Sequence, residues 1–172
     1  MFSQDYAEYS KKEIEIKEID SIALEHLINY AYSGSIKIDS LNCQSIMIGA
    51  SFLQLNRVRD ACAKFLTDRF HSHNVIGIRN FGDSLSHANL VTAADKFINK
   101  KFADISNEEE FMQLPYSEVI AIVQRDELNC ASEEIIFEAV MRWVKHNEAE
   151  RTKLLPEVLS KVRLPLLSPQ FL

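Results

Sequence analysis

Glycine and proline are scarce in this sequence, with 4 of each among 172 residues. A β-sandwich of this length would need a turn roughly every ten residues, and turns draw heavily on those two residue types. Hydrophobic residues make up 47% of the chain and charged residues 26%, an ordinary globular composition that argues against disorder. The composition therefore predicts a folded, mostly helical chain that forms one domain or two small ones.

Cysteine is also scarce, and Cys43, Cys62 and Cys130 are widely spaced. The sequence has no CxxC or CxxH pair from which a structural zinc site could be built. An odd number of cysteines fits a reducing compartment, where thiols stay unpaired. The chain shows no signal-peptide pattern, and no apolar run approaches membrane-spanning length. We therefore expect a cytoplasmic or nuclear protein that has no cofactor and no membrane partner.

Clustered basic residues are missing as well. The formal net charge is −6, and the longest basic run, Lys100–Lys101, precedes an acidic stretch at Glu108–Glu110. Affinity for nucleic acid comes largely from Lys and Arg displacing counterions from phosphates. Nucleic acid is therefore not expected as a partner.

Motifs that carry catalysis are absent from the sequence. It contains no GxSxG elbow, no GxGxxG turn and no GxxxxGK[ST] loop. His71 and His73 are the nearest approach to a metal pair, but no third ligand lies nearby, and flanking the start of a helix is the favoured interpretation. The acids Glu108–Glu110 are more typical of a helix's first turn than of acid–base chemistry. These absences predict a protein that is not an enzyme.

Hydrophobic periodicity supplies the expected elements. Period-two alternation predicts a strand at 13–17 and a second at 35–38. Helical stripes follow. Asp20 or Ser21 can cap the first, which Gly34 closes, and the next, at 41–54, is apolar nearly all round and therefore central. The predicted stripes are Leu24, Leu27, Ile28 and Ala31; Ile46, Met47, Ile48, Ala50 and Leu53; Val58, Ala61, Cys62, Phe65 and Leu66.

Helical hairpins continue after a boundary expected near 71–73. Gly77 and Gly82 are small positions that let neighbouring groups approach, Ser132 is a candidate helix cap, and Trp143 on an apolar stripe is expected in the core. The stripes are Ile78, Phe81 and Leu85; Leu90, Ala94, Phe97 and Ile98; Val119, Ile120 and Val123; Ile136, Ala139, Val140 and Trp143; Leu154, Leu155, Val158 and Leu159.

The second part of the chain resembles the BACK domain of Kelch-like proteins. The most specific strings are EAVMRWVKH at 138–146 and VRLPLLSP at 162–169, supported by NVIGIR at 74–79, EFMQLP at 110–115 and DELN at 126–129. The first part resembles the C-terminal portion of a BTB (POZ) domain, through MFS at 1–3, YAYSG at 30–34 and ASFLQL at 50–55. The resemblance implies a mainly α fold, with a partial α/β BTB remnant at 1–70 followed by an all-α BACK domain at 71–172.

Such proteins are substrate adaptors of cullin-3 RING ubiquitin ligases. The resemblance implies a BTB domain that dimerises and binds cullin-3, a BACK domain that extends this surface, and a Kelch β-propeller that captures the substrate. The family's docking motif, hydrophobic-x-Glu, matches Tyr6-Ala7-Glu8, which makes Tyr6 and Glu8 the expected cullin-binding residues. A solvated loop is the alternative interpretation of these three residues, and an actin-associated structural protein that recruits no ligase is the alternative function.

Two parts of the family architecture are not encoded in these 172 residues: the N-terminal half of the BTB domain and the Kelch repeats. We therefore expect a fragment, a short isoform or a truncated gene model, whose substrate cannot be inferred from the sequence. Whether it forms the family's homodimer without the missing half is left open.

Overall fold

The fold was obtained as a computed structural model that describes residues 19–130 and 132–163. Within these ranges the secondary structure is entirely helical, with ten α-helices and one 3₁₀ turn, which confirms the expected mainly α fold. The chain divides into two compact units, residues 1–65 and 66–172. The predicted strand at 13–17 lies outside the described residues, and 35–38 forms no ladder with any described residue.

The first unit contains α1 (Ser21–Ser33), α2 (Cys43–Phe52) and most of α3 (Asn56–Thr67). The Asp20 carboxylate accepts a hydrogen bond from the Ala23 amide at 3.0 Å and so caps α1, as the sequence predicts. Gly34 ends the helix in the left-handed region at φ 72°, donating its N–H to the Tyr30 carbonyl.

Helices α1 and α2 approach each other at Gly49. A β-carbon at this position would lie 2.6 Å from Leu27 Cδ1 and 3.0 Å from Ile19 Cγ2, so a larger residue would displace buried side chains. Leu27 and Ile19 are both buried. The absence of a side chain at Gly49 therefore sets how closely the two helices pack.

The predicted stripe on α1 is wrong in part. Ala23 and Leu27 are its buried residues, whereas Ile28 and Ala31 are exposed, because α1 meets α2 at Gly49 through the face that carries Leu27. The predicted stripe on α3 is similarly offset, since Ala61 is exposed and Ala63 is buried. Cys62 is fully buried, as expected.

The second unit begins with an α-helical hairpin, α4 (Val75–Ser84) and α5 (Ala88–Ile105). The start of α4 just after His73 confirms the interpretation of the two histidines as flanking a helix start. His87 is buried and caps α5, because its Nδ1 accepts a hydrogen bond from the Leu90 amide at 3.2 Å. A β-carbon at Gly82 would lie 3.1 Å from Leu90, so this glycine marks a close approach of α4 and α5, as predicted.

Five shorter or later helices complete the unit, and one core joins them to the hairpin. They are α6 (Glu109–Met112), α7 (Tyr116–Val123), α8 (Glu133–His146), α9 (Glu148–Arg151) and α10 (Leu155–Leu159), with a 3₁₀ turn at Thr152–Leu154. The largest fully buried side chain is Trp143, and Phe102 and Phe111 pack edge to face with ring centroids 5.7 Å apart. The sequence predicted one last helix through Leu154 and Leu159, whereas the structure has a 3₁₀ turn followed by α10.

Acidic residues lie in the first turns of α6 and α8, and Lys145 and His146 lie in the last turn of α8, which complements the helix dipole. Glu109 and Glu110 therefore have the structural role that the sequence favoured. Ser132 occupies the position before α8, but its side chain makes no capping hydrogen bond, so the predicted cap is correct in place and wrong in mechanism.

Candidate protein-interaction site

The two residues predicted to bind cullin-3, Tyr6 and Glu8, lie outside the described residues, so the docking motif stays a prediction. His71 and His73 are exposed, and their rings are stacked with centroids 5.4 Å apart. Across residues 19–130 and 132–163, no three His, Cys, Asp or Glu side chains are grouped so as to hold a metal ion. None of the described helices is both long and apolar enough to cross a membrane.

The cysteine thiols are held in environments that disfavour the thiolate. Cys43 and Cys62 are both buried, and the Cys43 thiol donates a hydrogen bond to the Cys62 carbonyl at 3.6 Å. The hydrogen bond to Cys43 and the burial of Cys62 raise the pKa of the Cys62 thiol well above its ordinary value. Partial burial, with Glu133 nearby, also raises the pKa of the Cys130 thiol. Neither Cys62 nor Cys130 therefore has the lowered pKa of a reactive nucleophile.

Exposed apolar side chains are concentrated in the first unit. Among the described residues, every large apolar side chain that is exposed lies between Ile22 and Phe52. Tyr32 at 91% and Leu41 at 95% are almost completely accessible. The full set is Ile22, Ile28, Tyr32, Leu41, Ile48 and Phe52.

Spacing groups four of these residues into two pairs. Ile28 and Tyr32 are four residues apart in α1, and Ile48 and Phe52 are four apart in α2, so each pair shares one face of its helix. Grouped apolar side chains of this kind mark surfaces that bind other proteins. The sequence predicted a helix at 41–54 that is apolar nearly all round, whereas the exposure of Tyr32 and Leu41 carried no sequence signal.

The second unit carries a polar network centred on Asp95 of α5. One oxygen of Asp95, Oδ1, accepts hydrogen bonds from Arg79 Nε at 2.8 Å and from Arg125 Nη2 at 2.9 Å. Arg125 also donates to Asn99 Oδ1 at 3.0 Å, and Asn99 Nδ2 donates to Glu127 Oε2 at 3.2 Å. The network therefore fastens α4, α5 and the segment after α7 to one another, which gives it a structural role.

A second constellation surrounds Trp143. Its indole N–H donates to the Leu114 carbonyl at 2.9 Å, and the Arg151 guanidinium carbon lies 4.2 Å from the ring centroid. Arg151 Nη1 donates to the carbonyls of Met112 at 2.8 Å and Trp143 at 2.7 Å. Arg151 thus closes the ends of α6 and α8, and burial lowers its pKa from the ordinary value. No sequence pattern indicates this role of Arg151, because the helix that carries Trp143 ends at Asn147, before Arg151.

The comparisons with known proteins cover the whole chain. The family model described as "BTB And C-terminal Kelch" (BACK) matches residues 75–172, and the BTB/POZ domain model matches residues 1–70. Kelch-like protein 17 of Mus musculus, of Rattus norvegicus and of Homo sapiens is in each case 41% identical to this chain over 172 residues. The aligned region is 100% of this chain and 27% of each relative, so the chain spans about a quarter of the length of these proteins.

The helical hairpin of the second unit and the exposed apolar side chains of the first unit agree with these matches. The BACK model alone covers more than half of the chain, and the identity to the relatives extends over all of it. The chain belongs to the Kelch-like BTB–BACK family.

Proposed function

We propose that this chain is the adaptor segment of a cullin-3 RING ubiquitin ligase, a protein that binds other proteins and carries no catalysis of its own. The observation that carries the proposal is the match of consecutive BTB and BACK models along the chain, with 41% identity to Kelch-like protein 17 throughout. In this proposal residues 1–70 dock on cullin-3, and residues 71–172 extend the contact towards a Kelch propeller of the full-length protein. That propeller would hold the substrate, and the full-length protein would form a homodimer.

The distribution of apolar surface supports the proposal. An adaptor needs apolar surface that stays accessible until its partner arrives, and the first unit carries exposed apolar side chains of this kind. The formal net charge of −6 gives no support to a nucleic-acid partner. The pKa values of the Cys62 and Cys130 thiols are raised, and no metal-binding cluster occurs among the described residues, so neither feature favours an enzyme instead.

Docking is tested by calorimetry with the N-terminal region of cullin-3. Tyr6 is a large, partly apolar anchor and Glu8 a charged acceptor, so we expect the double substitution Tyr6→Ala, Glu8→Ala to weaken binding by at least about 2 kcal/mol, the scale of a hot spot. This corresponds to roughly a thirtyfold higher Kd. Tyr9→Ala is the matched control, because it removes an aromatic ring from the same segment without touching the motif.

Two results would count against different parts of the proposal. Unchanged affinity in a folded double variant would remove Tyr6 and Glu8 from the interface while leaving the adaptor role intact. No binding of the unsubstituted chain to cullin-3, with retained association with actin filaments, would refute the adaptor role and support a cytoskeletal protein.

A further inference from the structure

A cavity of about 310 Å³ lies beside the Trp143–Arg151 stack in the second unit. Its size falls at the lower end of the range of ligand pockets, roughly 300–1,000 Å³. Apolar and aromatic groups form much of its lining, and three charged side chains complete it. The lining includes Leu114, Pro115, Leu154, Trp143, Arg151 and Lys153.

Arg151 presents a fixed hydrogen-bonding edge. A guanidinium has five N–H donors, and the two on Nη1 are occupied by the carbonyls of Met112 and Trp143. The donors on Nε and Nη2 make no hydrogen bond to any described residue. Neither nitrogen is among the buried polar atoms that lack a partner, so both are accessible to a ligand. These two nitrogens form the parallel fork that holds a carboxylate through two hydrogen bonds.

Glu150 stabilises the charged guanidinium of Arg151 through space, which offsets part of the charge of this edge. Arg151 forms no ion pair with a described carboxylate, and stacking on Trp143 holds the guanidinium in place. Lys153 is exposed on the same cavity and adds a second positive charge. The third charged group, Glu150, accepts a hydrogen bond from Asn147 at 3.0 Å. The lining therefore carries one net positive charge in a chain whose net charge is negative.

We infer that this cavity binds an acidic peptide segment of a partner protein, one in which a large apolar side chain lies next to an Asp or Glu. The apolar side chain packs against Leu114, Pro115 and Leu154, and the carboxylate binds the Nε–Nη2 edge of Arg151 with Lys153 close by. The inference goes beyond the proposed cullin docking, because it concerns a different unit and different residues.

Trp143 allows a direct test, since it is the single tryptophan of the chain and lines the cavity. The probe is the end-capped peptide Gly-Ser-Phe-Asp-Ser-Gly, titrated into the 172-residue protein while Trp143 fluorescence is recorded. The same peptide with Asn in place of Asp is the matched control. We expect the acidic peptide to change the fluorescence saturably and to bind at least about tenfold more tightly than the Asn peptide, because a charge-assisted bidentate pair is lost in the control.

Substitution of Lys153 tests the charge without disturbing the Arg151 stack. We expect Lys153→Glu to weaken binding of the acidic peptide about tenfold, and Lys96→Glu, which makes the same change of charge on an exposed residue outside the cavity, to leave binding within about twofold. Equal effects of the two substitutions would overturn the inference, as would equal binding of the two peptides.

Two other occupants would also overturn the inference. If Trp143 fluorescence changes with protein concentration in the absence of peptide, and Lys153→Glu abolishes that change while Lys96→Glu does not, a second copy of the chain fills the cavity. If the acidic peptide binds only after removal of residues 164–172, that segment of the same chain fills it.

Discussion

Replacement of Trp143 is the substitution whose cost follows most directly from the structure. The side chain is 1% exposed, donates a hydrogen bond of 2.9 Å to the Leu114 carbonyl and stacks beneath Arg151. Trp143→Ala removes this packing and leaves a cavity, at a cost of about 3–5 kcal/mol. That is a large part of the roughly 5–15 kcal/mol that stabilises a typical domain.

Trp143→Phe separates packing from hydrogen bonding. Phenylalanine keeps much of the ring but has no N–H, so the carbonyl of Leu114, itself a buried residue, loses its partner at a cost of about 1–3 kcal/mol. We therefore expect the order of stability to be unsubstituted chain, Trp143→Phe, then Trp143→Ala. Lys145→Ala, an exposed position on the same helix, is the control and should stay within about 0.5 kcal/mol.

Urea unfolding followed by circular dichroism measures these differences without relying on the fluorescence that the substitutions remove. With a slope of about 2 kcal/mol per molar, a loss of about 4 kcal/mol lowers the midpoint by about 2 M. An unchanged slope is required for the shift to be interpreted as stability alone. A midpoint for Trp143→Ala within about 0.3 M of the unsubstituted chain would refute the assignment of Trp143 to the core.

Three further predictions concern other features. His87→Ala should cost about 1 kcal/mol in the free energy of unfolding, because α5 loses its side-chain cap, whereas His87→Asn should preserve most of the stability; a larger loss with Asn would contradict the capping role. Gly49→Ala should lower the melting temperature, because the added methyl group meets buried side chains, while Gly77→Ala, which meets only the movable Glu110 carboxylate, should leave it unchanged or raise it; equal effects would contradict this. In light scattering, 1–172 should associate and 71–172 alone should be a stable helical monomer, because the exposed apolar side chains lie in the first unit; a monodisperse 1–172 that melts cooperatively would contradict this.

Features set by neighbouring residues were predictable from the sequence. The cap at Asp20, the left-handed end of α1 at Gly34 and the burial of Trp143 each follow from local capping chemistry or from a strong helical stripe. The start of α4 just after His73 and the acidic first turn of α6 follow in the same way.

Features set by distant residues were not predictable. The buried face of α1 depends on the close approach at Gly49, and a stripe through Leu24 and Ile28 fits the sequence equally well. The role of Arg151 depends on Met112, 39 residues away along the chain, so no local pattern could reveal it. The predicted docking residues Tyr6 and Glu8 lie outside the described residues and stay a prediction.

The shared oxygen of Asp95 has a consequence for how the second unit opens. Arg79 and Arg125 are 46 residues apart, yet both donate to this one atom. Movement of α4 or of the segment after α7 away from α5 therefore removes one of the two positive charges on Asp95 and changes the strength of the contact that holds the other element. Amide protons of α4 and α7 should consequently exchange with solvent in a single cooperative event, and Asp95→Asn should divide that event into two with different rates. Double-mutant cycles between Arg79 and Arg125 should show non-additive stabilities, although the two side chains are joined only through Asp95.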